Sequence, residues 1–304
     1  MRTPFLRGGI VLLAAVLNDL LMLIVLPAAP PAPAAEPAPP VRIGMVRSMF
    51  KDAPDPLIQL STNVFKSLME EQTGLASNVT VASDAAQLAR QLKEGKLQLG
   101  AFHGFEFAWS RQQNPDLKPL MIAVKQQSFV RALLVVRQDN KAADAAALQG
   151  KTLALALLTR QHCRLFLDRR CVRPGMPMDK WFGKVSSPRT DQDALDDVAE
   201  GHADAAVVDD VELESFRTTY PKTAAKLRVL KQSEVFPCTV IAYQPGALNE
   251  ETLKQLRVGL IAAKTVERGR KLLDVFHMTG FEEVPDDYEK SVAEILKAYP
   301  PPGK

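Results

Sequence analysis

A short cationic turn, Thr159-Arg160-Gln161-His162, has residue types that could bind an anion. It lies between an apolar, β-compatible run, Leu153–Leu158, and a segment with apolar residues at helical spacing, so the sequence predicts a strand, a turn and a helix. The first turn of such a helix presents unpaired backbone N–H groups and the positive end of its dipole. The turn is therefore a candidate site for an anion or another polar ligand. An ordinary loop with a threonine cap and a solvated arginine is the alternative.

A comparable turn, His103-Gly104, follows the predicted strand Leu97–Phe102 and precedes another helical segment. A single histidine is more often a structural residue than a ligand, but histidines at two such turns favour a binding role for His103 and His162. Two imidazoles are too few for a zinc site, which normally takes three or four ligands. The sequence therefore predicts a small-molecule site without a metal or a cofactor.

Further candidates lie beside these turns. Arg131 and Arg160 could each donate forked hydrogen bonds to a carboxylate or phosphoryl oxygen, although Arg131 could equally be a strand-edge charge paired with an acid. Asp209 ends a predicted strand, where it could bind a cationic part of the ligand, orient an arginine or cap the next helix. The tripeptide Ser48-Met49-Phe50 lies on the first strand–helix loop, and we expect it to cover the ligand.

No catalytic motif accompanies these residues. The sequence contains no G-x-S-x-G, Walker, H-E-x-x-H or G-x-G-x-x-G pattern. Catalysis would need His103, His162 and Asp209 to act together without motif support. We therefore expect no catalytic residue, and an enzyme is the least favoured kind of protein.

The elements that position the candidates are short apolar strands alternating with amphipathic helices, from Val41–Val46 onward, which predicts βα units and largely parallel sheets. They include a helix at Thr62–Gln72 and a strand at Phe129–Arg137. The polar, alanine-rich stretch Gln138–Gly150 predicts a passage into a second lobe, and the chain returns near Pro237. The predicted lobes are residues 41–137 plus 238–304 (lobe 1) and residues 138–237 (lobe 2).

The amino-acid composition limits the kinds of protein that this chain could be. The 304 residues are 46% hydrophobic with a mean hydropathy of −0.07, values typical of a soluble globular protein with a substantial core. The net charge is +3, and no long run carries one sign, so the sequence does not predict a nucleic-acid partner.

The N-terminus has the pattern of a secretory signal. Arg2 and Arg7 precede the apolar run Gly9–Leu26, and Ala32–Ala35 provides small residues for cleavage. The predicted segments are a signal peptide at residues 1–35 and a Pro/Ala-rich tail at residues 36–40. The run approaches the length of a membrane span, so an uncleaved anchor is the alternative. In both cases we expect the body of the protein in the periplasm or cell envelope.

The three cysteines do not define a disulfide. If Cys163 and Cys171 share one regular helix they lie about 12 Å apart by rise per residue, too far to bridge. A bridge would need the helix to end before Cys171, or Cys238 as a partner. We assign none.

Five segments follow one another along the chain: Asn63–Leu68, Leu92–Trp109, Val130–Arg137, Leu148–Thr152 and Ala194–Asp210. In their order and spacing they resemble the phosphate/phosphite/phosphonate-binding solute receptors of ABC transporters, over nearly the whole chain after the predicted signal. The resemblance implies the type II periplasmic binding protein fold: two α/β lobes, each a mostly parallel sheet flanked by helices, joined by two crossover strands. It also implies a ligand in the cleft between the lobes and closure on binding.

The sequence differs from this family at the turn that holds an oxyanion. Where the family usually has a Gly-Ser-Thr-Ser-Gly-Tyr type loop, this chain has Leu158–Cys163, with one hydroxyl. The family's Leu-Gly-Pro turn corresponds to Phe102–Phe105, and its Tyr-Arg-Ser to Val130–Ala132. The resemblance therefore locates the site at Thr159–His162 and leaves the ligand open.

The leading hypothesis is a monomeric extracytoplasmic solute-binding protein. It would capture a small polar, anionic ligand, phosphonate- or phosphate-like, for an ABC transporter, with the membrane permease as its partner. A ligand-sensing or scaffolding module of the cell envelope, with the same fold and a diverged cleft, is the alternative.

Overall fold

The computed structural model describes residues 39–50 and 53–302. The predicted signal peptide and most of the Pro/Ala-rich tail lie outside the described residues. The strands of the described chain are β1 (Val41–Val46), β2 (Ser77–Ala82), β3 (Leu99–Phe102), β4 (Lys118–Val124), β5 (Phe129–Val130), β6 (Ala132–Arg137), β7 (Thr152–Ala154), β8 (Lys184–Ser186), β9 (Ala205–Asp209), β10 (Leu227–Gln232), β11 (Phe236–Pro237), β12 (Thr239–Tyr243) and β13 (Gly280–Glu282).

Helices connect and cover these strands. They are α1 (Asp55–Thr73), α2 (Ala85–Lys93), α3 (Gly104–Gln113), α4 (Gln161–Phe166), α5 (Met178–Trp181), α6 (Asp191–Glu200), α7 (Asp210–Thr219), α8 (Pro221–Ala224), α9 (Glu250–Ala262), α10 (Glu267–Val275) and α11 (Tyr288–Ala298). Single 3₁₀ turns occur at Arg47–Phe50, Ala145–Leu148 and Ala263–Thr265, and a π-helical turn at Leu167–Cys171 continues α4.

The strands form two mixed sheets and one short ribbon. The first sheet has the order β13-β4-β12-β3-β1-β2 and the second the order β10-β6-β9-β7-β8, while β5 pairs with β11 alone. β1 is parallel to β2 and β3, and β7 is parallel to β8 and β9. β12 and β6 pair antiparallel with their neighbours. Parallel pairing is less dominant than expected because β6 and β12 are entered from the ribbon strands without the helical crossover that parallel pairing requires.

The predicted strand Phe129–Arg137 is divided between the ribbon and the second sheet. β5 ends at Val130, Arg131 intervenes, and β6 lies between β10 and β9. The sequence analysis placed residues 132–137 with the first lobe, whereas their strand partners belong to the second sheet. The residues on both sides of Arg131 are buried, so the apolar run gives no sign of a change of sheet.

Apolar clusters fill both faces of each sheet. In β1, Val46 packs in one cluster, whereas Ile43 and Met45 pack in another on the opposite face. In β6, Leu134 and Leu133 likewise belong to different clusters. Successive residues of a strand point to opposite faces, so strands covered on both sides are continuous apolar runs. The apolar clusters cover the faces of the sheets, whereas the candidate residues lie at the edges, where the strands end.

Two elements differ in length from their sequence-based predictions. Helix α1 begins at Asp55, well before the predicted Thr62. The sequence-based prediction missed the first turns because Leu57 and Leu60 are 54% and 59% exposed and do not continue the apolar period of the core face. The apolar run Leu153–Leu158 was predicted to be a strand, but β7 ends at Ala154. The run leaves the sheet as a turn, and Leu158 is 71% exposed.

All three cysteines are free and buried. Burial raises the pKa of Cys171 and of Cys238 to about 12, and it raises the pKa of Cys163 as well. The thiols therefore stay protonated at neutral pH, and they act as small apolar groups in the core.

Within the described residues, no helix combines the length and the apolar character that a bilayer crossing requires.

Candidate functional site

The candidate residues lie where four strands end. β1 and β3 are parallel and lead into the Arg47–Phe50 turn and His103, while β7 and β9 are parallel and lead into the Thr159–His162 turn and Asp209. Each following helix begins at a candidate residue: His103 is the N-cap of α3, Arg160 that of α4 and Asp209 that of α7. The first turn of each helix has backbone N–H groups without partners inside the helix, and Asp209 Oδ1 accepts from that of Glu212 in α7.

An ion pair joins two of the candidates. Arg160 Nη1 lies 3.1 Å from Asp209 Oδ2, and the Asp209 side chain is 1% exposed, against 29% for Arg160. The other carboxylate oxygen, Asp209 Oδ1, accepts a hydrogen bond of 2.8 Å from the backbone N–H of Glu212. Asp209 therefore both caps α7 and orients the guanidinium, which is one of the roles expected from the sequence. The arginine is held at the site, and its charge is already balanced.

The two histidines come together in the interior. Burial, together with the nearby charges of Arg160 and His103, lowers the pKa of His162 to about 3. His162 Nε2 lies 3.4 Å from Cys163 Sγ. The ring of His103 stacks on Phe105 at 5.6 Å between centroids, and its Nε2 has no hydrogen-bond partner among the described residues. His162 is thus a neutral imidazole at neutral pH, and the His103 side chain has a ring nitrogen left over for a further contact.

A hydrogen-bonded chain links the Ser48 turn to helix α4. Gln161 Nε2 donates to the backbone oxygen of Ser48 at 3.2 Å. Ser48 Oγ lies 2.8 and 2.9 Å from the two carboxylate oxygens of Glu106, to one of which it donates. Glu106 is buried in the first turn of α3 and was not among the candidates from sequence. Its partner is 58 residues away, and no local pattern marks such a contact.

Three candidates make structural contacts. Thr159 Oγ1 donates to the backbone oxygen of Ala156 at 2.8 Å, inside its own loop. Arg131 Nη1 donates to the backbone oxygen of Ser233 at 3.0 Å. A Cβ added to Gly104 would lie 2.1 Å from the backbone oxygen of Pro237. The hydroxyl, one guanidinium nitrogen and the glycine are therefore committed to the protein, and any ligand contact at Gly104 is to its backbone.

The two apolar candidates lie against the core of the first sheet. Met49 is partly buried between the clusters on both faces of that sheet, and Phe50 packs against one of them. Neither side chain has a polar group to offer a ligand. Their position on the turn next to Ser48 fits a covering role.

Acidic groups surround the Arg160–Asp209 pair. Burial, together with the negative charges of Glu212 and Asp209, raises the pKa of Asp191 to about 6. Glu212 in turn forms an ion pair with Lys125. Asp191 begins α6, and Glu212 lies in the first turn of α7. The site therefore contains charges of both signs, with an arginine and a lysine among several carboxylates.

Two cavities of the described chain lie elsewhere. One of about 610 Å³ is bordered by Arg111 and Pro245, and one of about 320 Å³ by Arg173 and Trp181. None of the predicted site residues lines either cavity. Among the described residues no three His, Cys, Asp or Glu side chains are placed to hold a metal ion.

Comparison with solved structures identifies the fold. XAC2383 from Xanthomonas citri, solved with bound ATP, is 18% identical, with 85% of this chain and 96% of that one covered and a TM-score of 0.54. PhnD1 from Prochlorococcus marinus, in complex with methylphosphonate, is 17% identical over 84% and 97% of the two chains, with a TM-score of 0.52. A binding protein component of an ABC phosphonate transporter from Pseudomonas aeruginosa is 16% identical over 84% and 85%, with a TM-score of 0.52. At these identities the similarity shows the type II periplasmic binding protein fold.

The family follows from the sequence profile. The profile described as ABC transporter, phosphonate, periplasmic substrate-binding protein matches residues 58–288. A search of curated proteins found no match. The profile covers most of the chain, including the turns at His103, Thr159–His162 and Asp209 but not the Ser48–Phe50 turn. This chain therefore belongs to the family of periplasmic substrate-binding proteins of ABC phosphonate transporters, which are binding proteins and not enzymes.

Proposed function

We propose that this protein captures a small anionic, phosphonate- or phosphate-like ligand where the Ser48, His103, Arg160 and Asp209 turns meet, and presents it to the membrane permease of an ABC transporter. The observation that carries the proposal is the position of Arg160. Its guanidinium lies at the start of α4, held by a buried carboxylate, at the turn where the family holds an oxyanion. Membership of the family supports the ligand class.

The two sheets support a division into two lobes. We propose that lobe 1 contains the first sheet and lobe 2 the second, with the β5–β11 ribbon as the connection. The boundaries then lie near Arg131 and Val235, a few residues before those expected from the sequence. Ligand binding would take place between the lobes, and the signal peptide proposed at residues 1–35 would direct the chain to the periplasm.

The contacts at the site suggest how the ligand is held. The first-turn N–H groups of α3 and α7 and the positive ends of these helices favour an anion. Arg160 would turn part of its guanidinium from Asp209 to the ligand, with charge-assisted hydrogen bonds replacing part of the ion pair. His162 is neutral and can offer one N–H donor, and His103 Nε2 can donate or accept.

Entry of the ligand requires the junction to open. Gln161 and Ser48 are hydrogen-bonded across it, so this contact must break when the lobes separate. A ligand that contacts both lobes binds the closed form more tightly than the open form, and this difference in affinity shifts the equilibrium towards the closed form. The same contact would re-form around the bound ligand and define the closed state that the permease recognises.

Thermal stabilisation of the purified protein tests this proposal. A ligand at 100 times its dissociation constant stabilises the folded state by about 2.7 kcal/mol, which for a chain of this size raises the melting temperature by several degrees. We expect this shift with methylphosphonate, phosphate or a related oxyanion, in a panel that includes carboxylates and sulfonates at matched ionic strength. Absence of any shift across the panel would refute it.

One observation favours a second candidate function, a sensing or scaffolding module with a diverged cleft. Arg160 is already neutralised by Asp209, and Gln161 bonds directly to the backbone of the Ser48 turn. Such a protein would hold its closed form constitutively. Small-angle scattering separates the two functions, because a transport receptor contracts when ligand is added and a constitutive scaffold does not.

A further inference from the structure

The hydroxyl of Ser48 has a single proton, and a carboxylate already accepts it. Ser48 Oγ lies 2.8 and 2.9 Å from the two carboxylate oxygens of Glu106. A hydroxyl can donate one hydrogen bond and accept two, whereas an ionised carboxylate can only accept. The proton of Ser48 therefore points towards Glu106. Towards any other group, Ser48 Oγ presents a lone pair and is a hydrogen-bond acceptor.

Glu106 is a buried carboxylate without a cationic partner. The residue is 7% exposed and lies in the first turn of α3. Among the described residues, no nitrogen of a lysine, arginine or histidine lies within ion-pairing distance of Glu106, and Ser48 provides the hydrogen bond to its carboxylate. The positive end of the helix dipole favours a negative charge at this position. Glu106 therefore places an acceptor, and no donor, behind the Ser48 hydroxyl.

Ser48 belongs to the junction where the Ser48, His103, Arg160 and Asp209 turns meet. Its backbone oxygen accepts a hydrogen bond of 3.2 Å from Gln161 Nε2, and Gln161 follows Arg160 directly in the chain. The Ser48 turn and the start of α4 are thus one hydrogen bond apart. An oxyanion bound between these two turns has Ser48 as its neighbour on the side of the first sheet.

The junction has little positive charge left for a ligand. Arg160 Nη1 lies 3.1 Å from Asp209 Oδ2, and the Asp209 side chain is 1% exposed. With Arg160 balanced and Glu106 without a counter-ion, a ligand with two negative charges would add to an excess of negative charge in a poorly solvated place, which is unfavourable. A singly charged ligand that keeps a proton adds less charge, and its O–H group can donate to Ser48 Oγ.

We propose, in an inference that rests on the function proposed above, that the junction selects oxyanions that carry a proton of their own. Ser48 Oγ accepts the hydrogen of the P–O–H group of a singly ionised phosphonate or phosphate. Glu106 is a positioning residue, because it takes the Ser48 proton and so fixes Ser48 as an acceptor. A sulfonate or sulfate has a similar shape but no proton at neutral pH, so its oxygen would meet the lone pair of Ser48 and neither acceptor would be satisfied.

Calorimetric titration with two pairs of similarly shaped anions tests the proposal. The pairs are methylphosphonate with methanesulfonate, and phosphate with sulfate. We expect the phosphorus anion of at least one pair to bind about tenfold or more tightly than its sulfur partner, the effect of one hydrogen bond that involves a charged group. Its affinity should fall by up to about tenfold per pH unit above the second ionisation of the anion, because the proton that Ser48 accepts is lost.

Two variants remove the acceptor arrangement in different ways. Glu106→Gln keeps the shape of the side chain, but its amide can donate to Ser48 Oγ and leave the hydroxyl proton for the ligand. Ser48→Ala removes the acceptor itself. Both should lower the ratio of phosphorus to sulfur affinity about tenfold and flatten its dependence on pH. The control is Glu250→Gln, which removes an exposed carboxylate from the first turn of α9 and should change neither quantity.

The affinity ratio and the pH dependence separate this role of Glu106 from a structural one, which would weaken both anions of a pair equally. Ser48 is half-buried on its turn, so Ser48→Ala provides the test even if Glu106→Gln does not fold. Equal affinity for both anions of each pair, or an affinity ratio that neither variant changes, would overturn the proposal and leave the proposed function standing. Failure of all four anions to bind would refute the proposed function together with the selectivity.

Discussion

The ion pair between Arg160 and Asp209 gives a quantitative test of the site's construction. Two unit charges with centres about 4 Å apart attract by about 4 kcal/mol at an effective dielectric constant of about 20. Arg160 keeps 29% of its side chain exposed, so water screens part of this energy. We therefore expect a coupling free energy of about 2 kcal/mol between the two residues.

A double-mutant cycle of Arg160→Gln and Asp209→Asn measures that coupling. Arg160→Gln leaves a carboxylate that is 1% exposed without its counter-ion, and should lower the free energy of unfolding by about 3 kcal/mol. Asp209→Asn keeps the cap of α7, since asparagine is a good N-cap, and should cost about 1 kcal/mol. The double variant should be no less stable than Arg160→Gln, because the uncompensated charge is gone.

Chemical denaturation at pH 7 provides the four free energies. The exposed pair Arg137–Asp139, with side chains 46% and 64% exposed, is the matched control, and its Gln/Asn cycle should show no measurable coupling. A coupling below about 0.5 kcal/mol at Arg160–Asp209 would refute the reasoning that the pair holds the site together.

Three further changes have expected outcomes. Because the pKa of His162 is lowered to about 3, its contribution to the free energy of unfolding is fully present above about pH 6.5 and falls by up to about 1.4 kcal/mol per pH unit as the pH drops towards 3. The melting temperature of His162→Phe, measured against pH, should lack this dependence. Asp191, with a raised pKa of about 6, acts oppositely, since its stabilisation is present below about pH 3.8 and lost as pH rises through 6, so Asp191→Asn should be relatively more stable at pH 7 than at pH 4. Gly104→Ala should lower the melting temperature sharply, because its Cβ meets the Pro237 carbonyl at 2.1 Å and backbone cannot yield; an unchanged melting temperature would show that the turn is loosely packed.

Much of the fold could be predicted because its signals are local. The turn at Thr159–His162 was placed between a strand and a helix from apolar spacing alone, and α4 does begin there, at Gln161. The strand before it was drawn too long, since Leu157 and Leu158 are apolar yet 50% and 71% exposed. Apolar character predicts burial on average, and these two leucines are exceptions that only the tertiary structure reveals.

The contacts of the site were harder to predict because they join distant parts of the chain. Glu106 meets Ser48 across 58 residues, and Gln161 meets Ser48 across 113. Asp209 was assigned several alternative roles from sequence, and capping of α7 and pairing with Arg160 are the ones that the structure contains. Local spacing identifies the residue types at a turn, whereas the partner of each side chain depends on how the sheets are brought together.

Calorimetric titration of the purified protein with methylphosphonate and with phosphate tests the central claim most directly. The account predicts one saturable site for at least one of these anions, weakened about tenfold or more by Arg160→Gln and unchanged by Arg169→Gln, a neutralisation of an exposed arginine in the turn after α4. Equal affinity in the two variants, or no binding of either anion, would contradict it.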